Sequence, residues 1–385
     1  MTARKQQWDL VIVGAGPAGT AAALGALAVE PKLRVALLDR ADFPRDKTCG
    51  DGITPHVFDL LAELGVTGLF EDWEPVRQLT LTLGNAGVQR PLRRPTWVIP
   101  RQVFDARLVE AAVSRGAHLQ RHRVKALQRL ADGVLVDGEL RASVLIGADG
   151  AHSVVRTAAG LPPARRRALA LRGYAPTPAA RAGQQVIAYG PGRQPSYAWA
   201  FDRGDGYSNV GYGELLTRGR RTPSRAVLLE RLAELLPGAT DSGTDWKGHH
   251  LPLSSWRWPH PDGRILLAGD AAGLVNPMTG EGIYDAVTTG MLAGRTAATA
   301  LTQGDTAAAG ARYRSAVRTR LGSHQRHTAA VARLSSVPAL VTVGIRAAAG
   351  DQAVFDDLVE VGLASGRVTP RAVRGLVSSG VRRSR

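Results

Sequence analysis

Three glycines, three aspartates and one cysteine account for most of the chemistry that this sequence can perform. Gly14-x-Gly16-x-x-Gly19 has the spacing of a diphosphate-binding turn. In such a turn the first glycine permits a sharp reversal, the second lets a diphosphate approach the backbone, and the third lets helix and strand pack closely. The helix that follows offers unbonded N–H groups and the positive end of its dipole. Asp39 ends the next apolar segment at a spacing suited to accepting a ribose hydroxyl, with Arg40 beside it. Two later apolar segments, Ile146-Gly147-Ala148-Asp149-Gly150 and Ile265-Leu266-Leu267-Ala268-Gly269-Asp270, each end in a glycine and an aspartate. The glycine motif alone does not separate a nicotinamide from a flavin dinucleotide, because both carry adenosine diphosphate.

These residues need a scaffold. Trp8–Val13 reads as a strand, Pro17–Val29 as a helix with proline at its start, and Arg34–Asp39 as a second strand, which together make a βαβ unit. Leu10 to Val29 lacks charge, but Gly14, Gly16, Gly19 and Pro17 interrupt its middle, so it reads as a buried strand, turn and helix rather than a membrane span. A helix from Pro55 to Leu64, a hairpin within 76–96, and a helix from Pro100 to Ser114 follow. Short alternating segments rich in Tyr, Trp and Gly between Arg166 and Gly213 predict an antiparallel sheet. We therefore expect an α/β fold whose dinucleotide-binding domain is split over 1–165 and 259–305. A substrate domain covers 166–258 and a helical region covers 306–385.

Composition removes other classes. The chain has 385 residues, 44% hydrophobic and 21% charged, which excludes disorder and allows a large core. Cys49 is the one cysteine, so no internal disulfide framework exists, and a reducing, cytoplasmic setting is expected. The formal charge of +16 invites nucleic acid, yet only five of 49 basic residues are Lys and aromatics are 5%, so no nucleic-acid partner is expected. His249-His250, His324 and His327 lack a completing carboxylate cluster, so no metal site is expected. No G-x-S-x-G elbow is present.

In combination, the GxGxxG, Asp149-Gly150 and Gly269-Asp270 motifs resemble the FAD-dependent hydroxylase superfamily typified by p-hydroxybenzoate hydroxylase. That resemblance implies FAD, with Asp270 on a ribityl hydroxyl and Asp149 and Gly269 in the cofactor site. It places Arg101, which opens Arg101-x-x-Phe104-Asp105-x-x-Leu108, near the phosphate and ribityl. An arginine suits that place because its fork donates paired, charge-assisted bonds.

Phe43-Pro44-Arg45-Asp46-Lys47-Thr48-Cys49-Gly50-Asp51-Gly52-Ile53-Thr54-Pro55 and Asn276-Pro277-Met278-Thr279-Gly280-Glu281-Gly282-Ile283 resemble the geranylgeranyl reductase family, which saturates isoprenoid double bonds. The family's YxWxFPK signature and VG pair are matched by Tyr197, Trp199, Phe201 and Val210-Gly211, with Asp202-Arg203 in place of Pro-Lys. The resemblance implies substrate contact by Tyr197, Trp199 and Phe201 and puts Cys49 near the isoalloxazine as a chemical or gating residue. It adds Pro277, Gly280, Gly282 and Ile283 to the cofactor set. Backbone N–H groups of the Gly280–Ile283 turn are expected to face the flavin's N1 and C2 carbonyl, favouring its reduced state.

The implied activity is reduction of a carbon–carbon double bond in a hydrophobic, isoprenoid-like substrate, with NADPH or another external donor. The alternatives are a flavin monooxygenase of a secondary metabolite and a non-enzymatic binder of anionic surfaces or nucleic acid. Trp256-Arg-Trp258-Pro has a superficial similarity to a flavin halogenase motif but immediately precedes the Gly-Asp segment. Between Ala311 and Gly350 there are seven Arg and no acid, and Arg367, Arg371, Arg374, Arg382, Arg383 and Arg385 follow. Two readings of that basic surface stand: a solvated face of a soluble protein, or a peripheral contact with an anionic membrane.

Overall fold

The computed structural model describes residues 6–192, 194–217, 219–255, 259–363 and 366–381. Trp256, Trp258, Arg382, Arg383 and Arg385 lie outside the described residues. The first apolar run forms strand β1 (Gln6–Val13), and Pro17 opens helix α1 (Pro17–Val29), where its missing N–H costs no hydrogen bond. Strand β2 (Val35–Asp39) runs parallel to β1, with Leu10 opposite Val35 and Val13 opposite Leu38. Then come β3 (Gly52–Ile53), α2 (Pro55–Glu63), the hairpin β4 (Val76–Leu83) and β5 (Ala86–Val98), and α3 (Arg101–Ser114). Strands β6 (His118–Arg121), β7 (Leu127–Arg129), β8 (Val134–Val136) and β9 (Leu140–Gly147) precede the short helix α4 (Val154–Ala158). The next stretch comprises β10 (Arg166–Pro176), β11 (Gln184–Tyr189), β12 (Ser196–Asp202), β13 (Tyr207–Leu215), α5 (Arg225–Leu235) and β14 (Thr244–Leu253). Strand β15 (Ile265–Leu267) leads into α6 (Ile283–Thr302), α7 (Ala309–Leu334), α8 (Pro338–Gly350), α9 (Gln352–Leu363) and α10 (Pro370–Val381).

The first sheet has the order β6-β2-β1-β9-β8-β7, and β15 also pairs with β9. Its central strands are parallel and buried on both faces, as their unbroken apolar runs require. Glycines bring α1 and α6 together at backbone distance. A Cβ on Gly290 would lie 2.1 Å from the Ala18 carbonyl oxygen, and one on Gly294 would lie 1.9 Å from that of Ala22. Tyr313 of α7 is fully buried, and its hydroxyl donates to the Leu267 carbonyl at 2.8 Å.

The second sheet has the order β14-β10-β13-β12-β11-β4-β5-β3. It is antiparallel except where β4 runs parallel to β11, with Gln78 opposite Gln184 and Thr82 opposite Ala188. The hairpin that the sequence predicts as an excursion of the first unit is therefore built into the larger sheet. Its open edge gains a ladder there that no local pattern announces. Helix α8 covers this hairpin, and the Arg90 guanidinium donates to the carbonyls of Ala348 and Ala349 at 2.8 and 2.7 Å. Among the described residues no single helix is long and apolar enough to cross a membrane.

Candidate active site

The glycine turn is shaped by contact with the end of β9. Gly14 has φ +100°, and a Cβ there would lie 2.3 Å from the Ala148 carbonyl oxygen. A Cβ on Gly19 would lie 1.7 Å from the Gly14 carbonyl oxygen, so helix and turn close only around hydrogen. Gly16 caps α1 without a side-chain hydrogen bond, and no acid occupies the helix's first turn. Asp39 accepts from the Ala15 N–H at 2.9 Å and the Ala41 N–H at 3.0 Å, while Arg40 is exposed beside it. Its carboxylate thus braces the turn and retains lone pairs for a further donor.

Two guanidinium groups border the bare Gly16. A Cβ there would lie 3.5 Å from Arg45 Nη2 and 3.8 Å from Arg101 Nη2. Arg101 is buried and forks onto Asp105 at 2.6 and 2.7 Å, and Arg45 reaches the same carboxylate at 3.0 Å. Burial works against the charge on Arg101, but Asp105 more than offsets it and raises the guanidinium's pKa. The sequence reading names Arg101 and omits Arg45. Its signal was Asp105, one helical turn after Arg101, which holds both cations.

Asp149 is held against the glycine turn at the end of β9. Its oxygens accept from the Ser153 hydroxyl at 2.5 Å and the Val154 N–H at 2.7 Å, so it caps α4, and its Cα supports Gly14 from beneath. Gly269, with φ +58°, donates its N–H to Thr289 Oγ1 at 2.9 Å and brings Asp270 to the cavity wall. Burial tends to raise the Asp270 carboxyl, but Lys47, 3.4 Å away, and then His249 overcome it and hold it below the ordinary range. His249 is itself pushed down to about 4, by burial first and then by Lys47.

The turn before α6 closes on itself. The Asn276 N–H donates to the Glu281 carbonyl at 2.7 Å, the Gly280 N–H donates to the Asn276 carbonyl at 2.9 Å, and Pro277 is buried within it. Gly280 takes φ +74°, and Gly282 is the N-cap of α6. At the start of α6, Glu281 Oε1 accepts from the Tyr284 N–H at 2.9 Å, a cap compatible with the expected role of the turn's other N–H groups. Burial raises this carboxyl to about 7 despite the backbone bonds, and it raises Asp285 well above the ordinary range.

Opposite lies the Cys49 loop, held by the second sheet. Asp51 is fully buried at φ +59° and accepts from the Tyr174 hydroxyl at 2.6 Å and from Asn209 Nδ2 at 2.8 Å. Asn209 also donates to the Cys49 carbonyl at 2.9 Å and accepts from Trp199 Nε1 at 2.8 Å. Arg172 spans the loop from the Cys49 carbonyl to Asp46. Burial raises Asp51 to about 6, against the pull of Tyr174, Arg172 and Asn209. It likewise raises the Cys49 thiol, only partly opposed by the Arg101 charge, so the thiol keeps its proton at neutral pH.

Tyr197, Trp199 and Phe201 alternate along β12 and present one face to the cavity. The Trp199 ring lies over Gly211, where a Cβ would come within 2.2 Å of it, which explains the glycine of the Val-Gly pair. The Tyr197 hydroxyl donates to the Thr279 carbonyl and ties the aromatic strand to the turn before α6. Asp202, where the family pattern has Pro, faces away from this chemistry. Its carboxylate accepts from the Gly183 N–H at 2.6 Å and the Thr177 hydroxyl at 3.1 Å.

The cavity measures about 210 Å³. Arg101, Asp270, Gly280, Gly282, Ile283, Cys49, Tyr197, Trp199 and Phe201 share its lining. Gly14, Gly16, Gly19, Asp39, Arg40, Asp149, Gly269 and Pro277 lie outside that lining, and Pro17 and Arg101 join the glycine turn to it.

Residues 7–190 match the family model described as an FAD binding domain. The chain is 33% identical over 319 residues to the menaquinone reductase of Mycolicibacterium smegmatis, covering 74% of this chain and 75% of the relative. It is also 33% identical over 331 residues to digeranylgeranylglycerophospholipid reductase 1 of Methanopyrus kandleri, covering 78% of this chain and 83% of that one. The chain belongs to the geranylgeranyl reductase family of FAD-dependent oxidoreductases. Its fold matches the crystal structure of a geranylgeranyl bacteriochlorophyll reductase-like protein from Thermoplasma acidophilum, with a TM-score of 0.75, 19% identity, and 97% and 96% of the two chains covered. The residues present fit FAD. The side-chain-free Gly16, flanked by two guanidinium groups at the uncapped start of α1, is a cradle for a diphosphate.

Proposed function

We propose that this enzyme saturates carbon–carbon double bonds in an isoprenoid-like or related hydrophobic substrate, with NADPH or another external donor supplying electrons. The observation that carries this reading is the cavity itself, where Tyr197, Trp199 and Phe201 face the Cys49 loop and the Gly280–Ile283 turn. Relatives named for reduction of a quinone and of a glycerophospholipid support the same substrate class. Gly14, Gly16, Gly19, Asp39, Arg40, Arg101, Asp149, Gly269, Asp270, Pro277, Gly280, Gly282 and Ile283 form the proposed FAD set. FAD bound there and reduced by that donor would supply the hydride.

The remaining work falls to the chain. Aromatic walls orient the alkene and exclude water, while Asp51, Asn209 and Arg172 hold the Cys49 loop against them. Cys49 carries a proton on Sγ toward the cavity, which suits a proton-holding or gating role rather than that of a thiolate nucleophile. We place the enzyme in the cytoplasm, in peripheral contact with the membrane that stores such substrates.

The test is anaerobic. The bound FAD is reduced with dithionite, excess reductant is removed, and prenyl lipids, quinones and polyketides are offered in turn. Flavin oxidation with a product heavier by two hydrogens supports the proposal. Flavin oxidation only after air is admitted, with a product heavier by one oxygen, assigns the chain to the hydroxylases instead.

A further inference from the structure

Large apolar side chains are distributed unevenly over the surface. Val29, Val113, Leu119 and Tyr207 are exposed singly, on separate elements. By contrast, Leu334 at the end of α7, Val337 and Leu340 at the start of α8, and Val373 and Val377 on α10 are 44–61% exposed. Helices α8 and α10 are neighbours, with Leu376 resting near Gly344. Val373 and Val377 are spaced four apart and so share one face of α10.

The charge around these side chains has one sign. Helices α7, α8 and α10 contain no Asp or Glu, and Arg333, Arg346, Arg371 and Arg374 are exposed on them. The acids of the intervening α9 are each engaged, and Asp357 also offsets part of the Arg371 charge from 3.9 Å away. Glu360 pairs with His56 at 3.1 Å, Asp357 accepts from the Thr369 hydroxyl at 2.5 Å, and Asp356 accepts from Gln352 Nε2 at 2.8 Å. Separated apolar side chains among exposed arginines match the boundary between anionic headgroups and acyl chains, where each group finds its preferred medium.

We infer that the outer face of α8 and α10, with Leu334, is a docking surface for an anionic lipid bilayer. Aliphatic side chains enter the headgroup boundary and Arg333, Arg346 and Arg374 hold lipid phosphates. Helix α9 joins this face to the active site, because Leu363 lines the cavity and the Gly362 carbonyl accepts from Thr279 Oγ1 at 2.8 Å. The surface does not depend on which substrate is reduced, and its test reads binding rather than turnover.

The full-length, FAD-loaded protein is sedimented with vesicles of phosphatidylcholine alone or mixed with phosphatidylglycerol. Binding is expected only to the mixed vesicles and should weaken as salt rises. Each of Arg333→Gln, Arg346→Gln and Arg374→Gln should weaken it about fivefold, the equivalent of about 1 kcal/mol per surface charge. Val373→Asp with Val377→Asp should abolish it while FAD content and melting temperature stay unchanged. In the unmodified protein, mixed vesicles should slow amide exchange in α8 and α10. Equal recovery in the supernatant with both vesicles, or unchanged exchange in those helices, overturns the proposal. So does light scattering that shows a vesicle-independent dimer lost on Val373→Asp, because the face would then belong to a second copy of the chain.

Discussion

The Tyr174 hydroxyl donates a 2.6 Å hydrogen bond to Asp51, joining strand β10 to the loop that carries Cys49. Asp51 is fully buried, and its pKa rises from 3.8 to about 6 because burial outweighs the bonds it accepts. The folded protein therefore keeps this proton to a higher pH than the unfolded chain does. Its contribution to stability is complete below about pH 4 and is lost as pH rises through about 6, a change of roughly 3 kcal/mol. Asp51→Asn retains an oxygen to accept from Tyr174 and cannot ionise. Denaturant melts between pH 4 and 6 should show a shallower loss of stability in the variant, and equal slopes would remove Asp51 as the titrating group.

Asp270 titrates in the opposite sense, since Lys47 holds it ionised. An ionised carboxylate at the cavity wall is suited to accept a cofactor hydroxyl. Asp270→Ala should weaken FAD binding by about 1.5–3 kcal/mol, or roughly 10- to 150-fold, measured by titrating the apoprotein with FAD. Unchanged affinity would take Asp270 out of the cofactor site.

Arg101 and Arg45 share Asp105 but should fail differently. Arg101 is only 3% exposed, so Arg101→Ala leaves a buried carboxylate poorly paired and should destabilise the fold by about 3–5 kcal/mol in denaturant melts. Arg45 is more accessible and borders Gly16. Arg45→Ala should chiefly weaken FAD binding and reduce its dependence on salt. Equal loss of stability in the two variants would contradict this division.

The parts legible from sequence are those set by local periodicity. The apolar runs of β1, β2, β9 and β15, Pro17 at the start of α1 and the glycine turn each follow from neighbours in the chain. Pairings over long separations carry no such mark. Asn209 meets the Cys49 carbonyl across 160 residues, and Arg45 meets Asp105 only because α3 packs beneath the turn. Hairpin β4–β5 alternates like any two-stranded ribbon, so its partner β11 is a fact of tertiary packing. Glu281 reads as part of a glycine turn, and only the folded backbone brings its oxygen to the Tyr284 N–H.

The α1–α6 contact tests the packing directly. A methyl group on Gly294 would overlap the Ala22 carbonyl oxygen, and backbone rather than a flexible side chain would have to move. Gly294→Ala should cost at least about 1–3 kcal/mol of stability although alanine favours helix. A variant as stable as the parent in denaturant melts would show that the two helices separate freely.

Cys49 offers the cleanest measurement because the chain has no other cysteine, so every thiol reaction reports on the site. Burial raises its pKa, and the Arg101 charge opposes this only in part. The reactive thiolate is therefore scarcer than in a free cysteine at the same pH. Alkylation by iodoacetamide should be slower than that of glutathione at neutral pH, and its rate should still be climbing where glutathione has levelled off. A bound prenyl lipid should slow it further, since Cys49 lines the same cavity as Trp199 and Phe201. Fast labelling at neutral pH would instead identify a stabilised thiolate and a nucleophilic role. Cys49→Ser then separates chemistry from structure. FAD content should be retained, because the Asn209 and Arg172 bonds reach the Cys49 backbone carbonyl rather than its sulfur. Slower oxidation of the prereduced enzyme by substrate would then assign the sulfur to the proton-holding or gating step, whereas an unchanged rate would leave it as packing alone.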